Sequence, residues 1–212
     1  EAGDIATVPE IWEGAAWRRL TTASLSLPNY PRAFVAPDGR VFYAGTDPQS
    51  RWLDVTGTGT WSLGPTMNFG SRTDGSAVMY APGKILFVGG GTPPTNTAEI
   101  IDLKSATPRW NYTGSMAYAR WNLNATLLPT GEVLVTGGTS AADRADPAGA
   151  VNVAEIWNPR TGEWKDWLMP HPDGETHGLT IGRDGIVWVP ERLGKRTDND
   201  GLHLAGFDPR TE

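Results

Sequence analysis

Hydrophobic positions in this chain fall into short runs that recur at regular intervals. RVFYAG from Arg40, KILFVGGG from Lys84, EVLVTGG from Glu132 and IVWVPE from Ile186 are dense in β-branched and aromatic residues, the composition of a strand buried on both faces. Each follows a turn that closes on glycine, read as PDG, APG, PTG and RDG. Glycine there takes the positive-φ position that a tight hairpin demands. The turn glycines Gly39, Gly83, Gly131 and Gly185 lie 44, 48 and 54 residues apart. A third run follows in each repeat, as RWLDV, TAEIIDL, VAEIWNPRTGEW and HLAGFDPRTE. Its acid or amide, at Asp54, Asp102, Asn158 and Asp208, suits an Asx-type turn. A fourth strand then begins near Trp61, Trp110 and Trp164, and the last repeat has no counterpart.

Four strands per unit at this spacing predict an all-β chain, a β-propeller of about four four-stranded antiparallel blades. One propeller domain is expected over 1–212, with closing strands at 1–23 and blades at 24–67, 68–116, 117–170 and 171–212. The N-terminal PEIWEGAAWRRL reads like VAEIWNPRTGEW, so Trp12 and Trp17 stand where Trp157 and Trp164 stand in the third repeat. Pairing of the strand near Trp17 with the strand around His203 to Asp208 is therefore predicted to close the ring and remove its edges. The N-terminal piece resembles both a third and a fourth strand, although the last repeat needs only a fourth, so the chain is either a closed four-bladed ring with an extra edge strand or an excised part of a larger propeller.

Composition agrees, with 26 Gly and 17 Pro that disfavour long helices. Ten Trp read as a repeated packing device: Trp17, Trp61, Trp110 and Trp164 are expected between blades, and Trp52, Trp121, Trp167 and Trp188 are left as candidates for exposed binding. A net charge of −6 with no cluster among 18 basic residues gives no footprint for a nucleic-acid backbone or an anionic membrane. No apolar run approaches the roughly 20 residues that span a bilayer, and EAGDIATVPEIW lacks the parts of a signal peptide. The absence of Cys removes thiol catalysis and disulfides.

Residues 24–166 resemble the bacterial galactose-oxidase-like and glyoxal-oxidase-like proteins with kelch repeats, through MNFGSRTDGSAVMYAPGKILFVGGG, TAEIIDLKSATPRW and LNATLLPTGEVLVTGG. Residues 171–212, with THGLTIGRDGIVWVPE and GFDPRTE, look instead like a blade of the streptogramin-lyase-like propellers. A natural fusion, an engineered chimera or divergence of repeats would each produce such a junction near Trp167. The resemblance implies a kelch-like propeller and, with the bacterial relatives, a secreted or periplasmic protein.

The first resemblance also implies a copper-radical oxidase, whose metal is held by tyrosines and histidines, one tyrosine being crosslinked to Cys. This chain has no Cys, and its second and third repeats place Asp74 and Asn122 where that tyrosine is wanted; Tyr30 and Tyr118 are the tyrosines that could stand elsewhere. The second resemblance implies a lactone-opening elimination with His177 as general base and Glu191 as its acidic partner, 14 residues apart. An imidazole near neutral pKa suits that step. HGLT is equally the repeat signature of such blades, with His177 hydrogen-bonded at the channel mouth. In HPDGETH, His171, Asp173, Glu175 and His177 form a candidate set for a divalent metal, although the spacing fits no closed motif and Pro172 and Gly174 mark an inter-blade loop. NYT at Asn111 and NAT at Asn124 match the glycosylation acceptor pattern.

The chain therefore reads as a non-catalytic binding or scaffold module without a cofactor. Its partner would be a protein, a carbohydrate or a small molecule at the channel mouth or loop face, and neither nucleic acid nor membrane. A lyase using His177 and Glu191 is the alternative, followed by a copper-radical oxidase.

Overall fold

The computed structural model describes residues 6–143, 146–169, 175–176, 178–192 and 202–211. All regular structure among them is strand, apart from one 3-10 turn at Pro147–Gly149. A hairpin comes first, β1 (Glu10–Trp12) with β2 (Trp17–Arg19). Blade 1 is β3 (Arg32–Val35), β4 (Val41–Gly45), β5 (Gln49–Asp54) and β6 (Thr60–Thr66), paired in that order. Blade 2 is β7 (Ser76–Ala81), β8 (Lys84–Val88), β9 (Ala98–Asp102) and β10 (Asn111–Tyr112); blade 3 is β11 (Asn124–Leu127), β12 (Val133–Thr136), β13 (Val153–Trp157) and β14 (Trp164–Leu168). In blade 4, β15 (Glu175–Thr176) and β16 (Thr180–Ile181) both pair with one edge of β17 (Val187–Arg192), and β18 (Leu202–Phe207) pairs with the other. Every described pairing is antiparallel, and the architecture is a kelch-like β-propeller.

The local chemistry read from the repeats forms as expected. Gly39, Gly83, Gly131 and Gly185 all have positive φ, between 78° and 88°. The carboxylate or amide oxygen of Asp54, Asp102, Asn158 and Asp208 accepts the backbone N–H two residues on, at 2.8, 2.9, 2.9 and 3.0 Å. The second strands of blades 1 to 3 are buried at nearly every position, since alternate residues on them face opposite neighbours. Phe42 of β4 packs with Ile85 and Phe87 of β8 in the cluster between blades 1 and 2. Leu86 and Val88, one step along the same strand, join Val133 and Val135 between blades 2 and 3, and Leu134 joins Val187 and Val189 between blades 3 and 4.

The termini differ from expectation. Trp17 pairs with Trp12 and Glu10 with Arg19, so the N-terminal segment makes its own two-stranded sheet rather than joining His203 to Asp208. β18 pairs with β17 alone among the described strands. A GAA turn with Gly14 at φ 86° brings the two tryptophan-bearing strands together, and local closure needs far less ordering of the chain than capture by a distant strand. The hairpin instead covers blade 1: Ile11 packs beside Leu20, Ala23, Leu53 and Trp61. Trp61 Nε1 donates to Ala23 O at 2.8 Å, and Arg18 donates to Val55 O at 3.1 Å and to Gly57 O.

Several tryptophans also change role. Trp110 is buried between blades 1 and 2 and Trp164 packs against the cluster between blades 2 and 3, as expected. Trp17 does not lie between blades; it is exposed, with its ring 5.4 Å from that of Trp12. Trp52 and Trp121 are buried rather than available for binding, and Trp167 packs against the cluster between blades 3 and 4. Trp52 faces blade 2 because its register partner is Phe42, 4.7 Å away between ring centroids.

Candidate functional site

In blades 1 to 3 the loops that enter each blade and those that link its second and third strands lie at the same end of the sheets. Two buried ion pairs brace them in blades 2 and 3. Arg72, in the loop entering blade 2, donates to Gly89 O, Thr97 O, Thr97 Oγ1 and Glu99 Oε1, each at 3.0 Å. Glu99 also accepts the N–H of Asn68 and of Phe69, at 2.8 and 3.0 Å. Blade 3 repeats the device: Arg120 donates to Gly137 O, Val153 O and Glu155, while Glu155 accepts the Ala117 N–H at 2.5 Å. All four charged side chains are shielded from solvent. An aromatic ring caps each guanidinium on its outer side, Phe69 at 4.8 Å and Tyr118 at 6.0 Å.

Burial lowers the pKa of both guanidinium groups, and the facing carboxylates partly offset this. The two carboxyls diverge. Burial pushes Glu99 up, but the Asn68 and Phe69 amides and Arg72 outweigh it, so Glu99 lies below the usual range. Burial dominates at Glu155, with Arg120 and a single amide opposing it and Asp166 adding repulsion, so its pKa is raised. The difference follows from the number of donors each acid receives.

A second repeated feature fixes the loop tips. Tyr30, Asp74 and Asn122 have φ of 56°, 56° and 55°, and Gly178 has 69°. Each stands two residues before the first residue of an inner strand, at Arg32, Ser76, Asn124 and Thr180. The tips are tied between blades, since Asn122 N–H donates to Asp74 O at 2.9 Å and Gly90 N–H to Arg120 O at 2.9 Å. The approach at Gly90 admits no side chain: a Cβ there would lie 2.6 Å from Arg72 O and from Gly75 N. Arg32 donates to Gly75 O at 3.0 Å. Burial lowers its pKa against the pull of the Asp74 charge.

Three aromatic side chains are exposed among the described residues at this end, beside the carboxylates Asp47, Asp143 and Asp146. Tyr30 is 76% exposed, Tyr118 42% and Phe69 36%. Phe69 borders an open cleft of about 650 Å³ whose wall continues through Ser71, Thr73, Thr92, Pro93 and Thr95. No lining residue ionises near neutral pH. Such a wall can stack and hydrogen-bond a ligand; it offers no general acid or base.

The site residues expected from sequence, His177 and Glu191 with His171, Asp173 and Glu175, belong to the fourth repeat. His171, Asp173 and His177 fall outside the described residues, and only the backbone of Glu175 and Glu191 is described. In that backbone Glu175 pairs with Arg192, and Thr176 pairs with Glu191. Among the described residues no three His, Cys, Asp or Glu side chains form a metal-binding group. Asn111 and Asn124, the glycosylation candidates, are both exposed, on β10 and β11.

The copper-radical group does not fit the residues present. Tyr30 occupies in blade 1 the left-handed place held by Asp74 and Asn122 in blades 2 and 3 and by glycine in blade 4. The chain holds no Cys with which to crosslink it, and His203, the histidine within the described residues, is exposed on the outer strand β18.

No family model matches the chain. The kelch repeat and BTB domain-containing protein 12 of Danio rerio is 28% identical over 101 aligned residues, covering 42% of this chain and 16% of that protein. Among solved structures, a fungal alcohol oxidase of the AA5 family, in complex with copper, matches 91% of this chain and 45% of its own with a TM-score of 0.77 and 20% identity. The chain thus spans less than half the length of either protein. The sequence match is to a kelch-repeat protein, and the structural match is one of fold.

Proposed function

We propose that this chain is a non-catalytic binding module that presents the loop end of blades 1 to 3 to a partner. The carrying observation is how the charged groups are used. Arg72, Glu99, Arg120 and Glu155 are consumed in holding the loops, and the surface they fix carries Phe69, Tyr118 and a hydroxyl-lined cleft, with Tyr30 exposed on the neighbouring blade 1. Rigid aromatic side chains on braced loops give contact area at small entropic cost, as recognition surfaces require. The limited similarity to a kelch repeat and BTB domain-containing protein supports a protein partner over a small molecule.

Immobilised wild-type protein and the Tyr30→Ala/Phe69→Ala/Tyr118→Ala variant, presented with peptide and glycan panels, test the proposal. A peptide ligand retained by the wild type and weakened at least ~10-fold in the triple variant is the expected result. Ligands bound equally by both proteins would refute the loop face as the site.

A second reading, proton abstraction by His177 with Glu191 in an elimination, draws on the register that sets Thr176, the neighbour of His177, across from Glu191. Lactone opening that disappears in His177→Ala would favour it.

A further inference from the structure

The cleft beside Phe69 belongs to blade 2, which packs on blade 1 on one side and on blade 3 on the other. Its walls are the loop entering that blade and the loop linking β8 to β9. The two loops are tied, since Gly91 N–H donates to Thr73 O and Thr95 N–H to Gly90 O, both at 2.9 Å. A Cβ at Gly91 would lie 3.0 Å from Phe69 Cε1, so the bare glycine seats the edge of the ring. Two properties restrict what such a cleft takes. The first is electronic. The buried Arg72 guanidinium stands 4.8 Å from the centroid of the Phe69 ring, which turns its other side outward. A cation on one face of a ring draws π density towards itself and leaves the opposite face less negative. The outward face is therefore a poor seat for an ammonium group and a good one for an electron-rich ring. Blade 3 repeats the arrangement, with Arg120 6.0 Å from the ring centroid of Tyr118. The second property is the uncharged, hydroxylic wall. Ser71, Thr73 and Thr92 are exposed, and Ser71 Oγ lies 3.2 Å from Thr73 Oγ1 and donates to Thr46 O at 3.3 Å. A hydroxyl both donates and accepts, so each can take the O–H or N–H of a ring stacked beside it.

We infer that this cleft receives a tyrosine or tryptophan side chain from an uncharged stretch of a partner protein, its ring on the outward face of Phe69 and its O–H or N–H on a hydroxyl of Ser71, Thr73 or Thr92. The inference rests on the reading of the loop end as a protein-binding face, and names what that face selects. Tyrosine and tryptophan combine a large ring with one polar handle, and the cleft has a surface for each. Proline and aliphatic side chains have no handle for the hydroxyls. Lysine and arginine would bring a charge that no wall residue pairs and that the Arg72-backed ring opposes, and a carboxylate would likewise be desolvated without a partner. The cleft holds about 650 Å³, within the range of about 300–1,000 Å³ that ligand sites occupy. Its tied walls leave little to order on binding.

Amide-resolved NMR of the full chain tests the inference, with the N-acetyl amides of tryptophan, tyrosine, pentafluorophenylalanine and lysine as probes. The tryptophan and tyrosine amides should shift Phe69, Ser71, Thr73, Thr92 and Thr95, with a Kd of about 0.1–10 mM. The lysine and pentafluorophenylalanine amides should bind at least ~3-fold more weakly. The fluorinated ring decides the electronic argument, because it stacks better than indole on an electron-rich face. Phe69→Leu and Ser71→Ala/Thr73→Val should each weaken the tryptophan amide at least ~3-fold, with resonances of blades 1 and 3 in place as the check on folding. Absence of shifts at these residues overturns the inference, as does equal or tighter binding of the fluorinated or the lysine amide, or tryptophan binding unchanged in both variants. Failure here is separable from failure of the loop face itself. Peptides that the wild type retains without Tyr or Trp, and that Phe69→Leu does not weaken, would overturn only the aromatic selection; peptides bound equally by the Tyr30→Ala/Phe69→Ala/Tyr118→Ala variant would overturn both.

Discussion

Replacing Arg72 by Met probes the bracing of the loop end at its strongest point. The side chain is fully buried and donates four bonds at 3.0 Å, to Gly89 O, Thr97 O, Thr97 Oγ1 and Glu99 Oε1. Methionine fills much of the volume but donates nothing, so Glu99 keeps a buried charge that only the Asn68 and Phe69 groups solvate. Breaking a buried pair from one side costs about 3–5 kcal/mol. At about 2–4 °C per kcal/mol for a chain of this length, Tm should fall by about 6–20 °C. Urea unfolding is the direct assay, with the midpoint lowered and the slope preserved. Lys84→Met is the control: Lys84 and Asp102 lie 3.7 Å apart and exposed, a contact worth about 0–1 kcal/mol. Arg72→Met/Glu99→Gln should lose less than the sum of the single losses, by about 0.5–3 kcal/mol, as groups in direct contact do. An Arg72→Met midpoint equal to that of Lys84→Met would refute the reasoning.

Other outcomes follow from the same geometry. The folded pKa of Glu99 is depressed, so its stabilisation is present above the unfolded carboxyl pKa and lost as pH falls through the folded one; Glu99→Gln should flatten the acid limb of a stability profile. Glu155 is raised, so the wild type gains stability from it as pH falls towards the unfolded pKa; Glu155→Gln should steepen the acid loss. Gly90→Ala should destabilise by at least about 1 kcal/mol more than Gly131→Ala in chemical denaturation, because both glycines have positive φ but a Cβ at Gly131 meets nothing within 4 Å. Trp61→Phe removes the bond to Ala23 O; a loss of about 1 kcal/mol with faster proteolysis between residues 20 and 31 is expected.

The repeats made the fold legible because turn glycines, Asx residues and second strands each obey a local rule that one sequence displays. Pairing of the hairpin was not legible in the same way: PEIWEGAAWRRL carries two strands, and choosing between a local and a distant partner depends on chain closure rather than on residue type. Trp52 and Trp121 looked irregular in the repeat and were read as exposed, yet the register across β4 and β5 turns Trp52 onto the face towards blade 2. The bracing pairs did leave a trace. Arg72 and Arg120 both stand 11 residues before their turn glycine, and Glu99 and Glu155 both stand three before their Asx residue. Blades 1 and 4 break the pattern, with Pro28 and Arg51 in the first and Ala205 in the last, so the signal occupies only half of the repeats. Tyr30 was separated from Asp74 and Asn122 for a related reason: its kinship with them lies in a left-handed backbone rather than in side-chain chemistry.

One measurement addresses the non-catalytic assignment most directly: mass-spectrometric product analysis of a single purified sample offered cyclic lactones, polysaccharides, and primary alcohols with Cu(II) under air, with peroxide followed in parallel. A chain in which the described loops of blades 2 and 3 spend their Arg–Glu pairs on bracing, and which has no Cys to crosslink Tyr30, should yield no product above the protein-free control and no copper-dependent peroxide. Lactone opening abolished by His177→Ala, or copper-dependent peroxide abolished by Tyr30→Phe, would contradict the account.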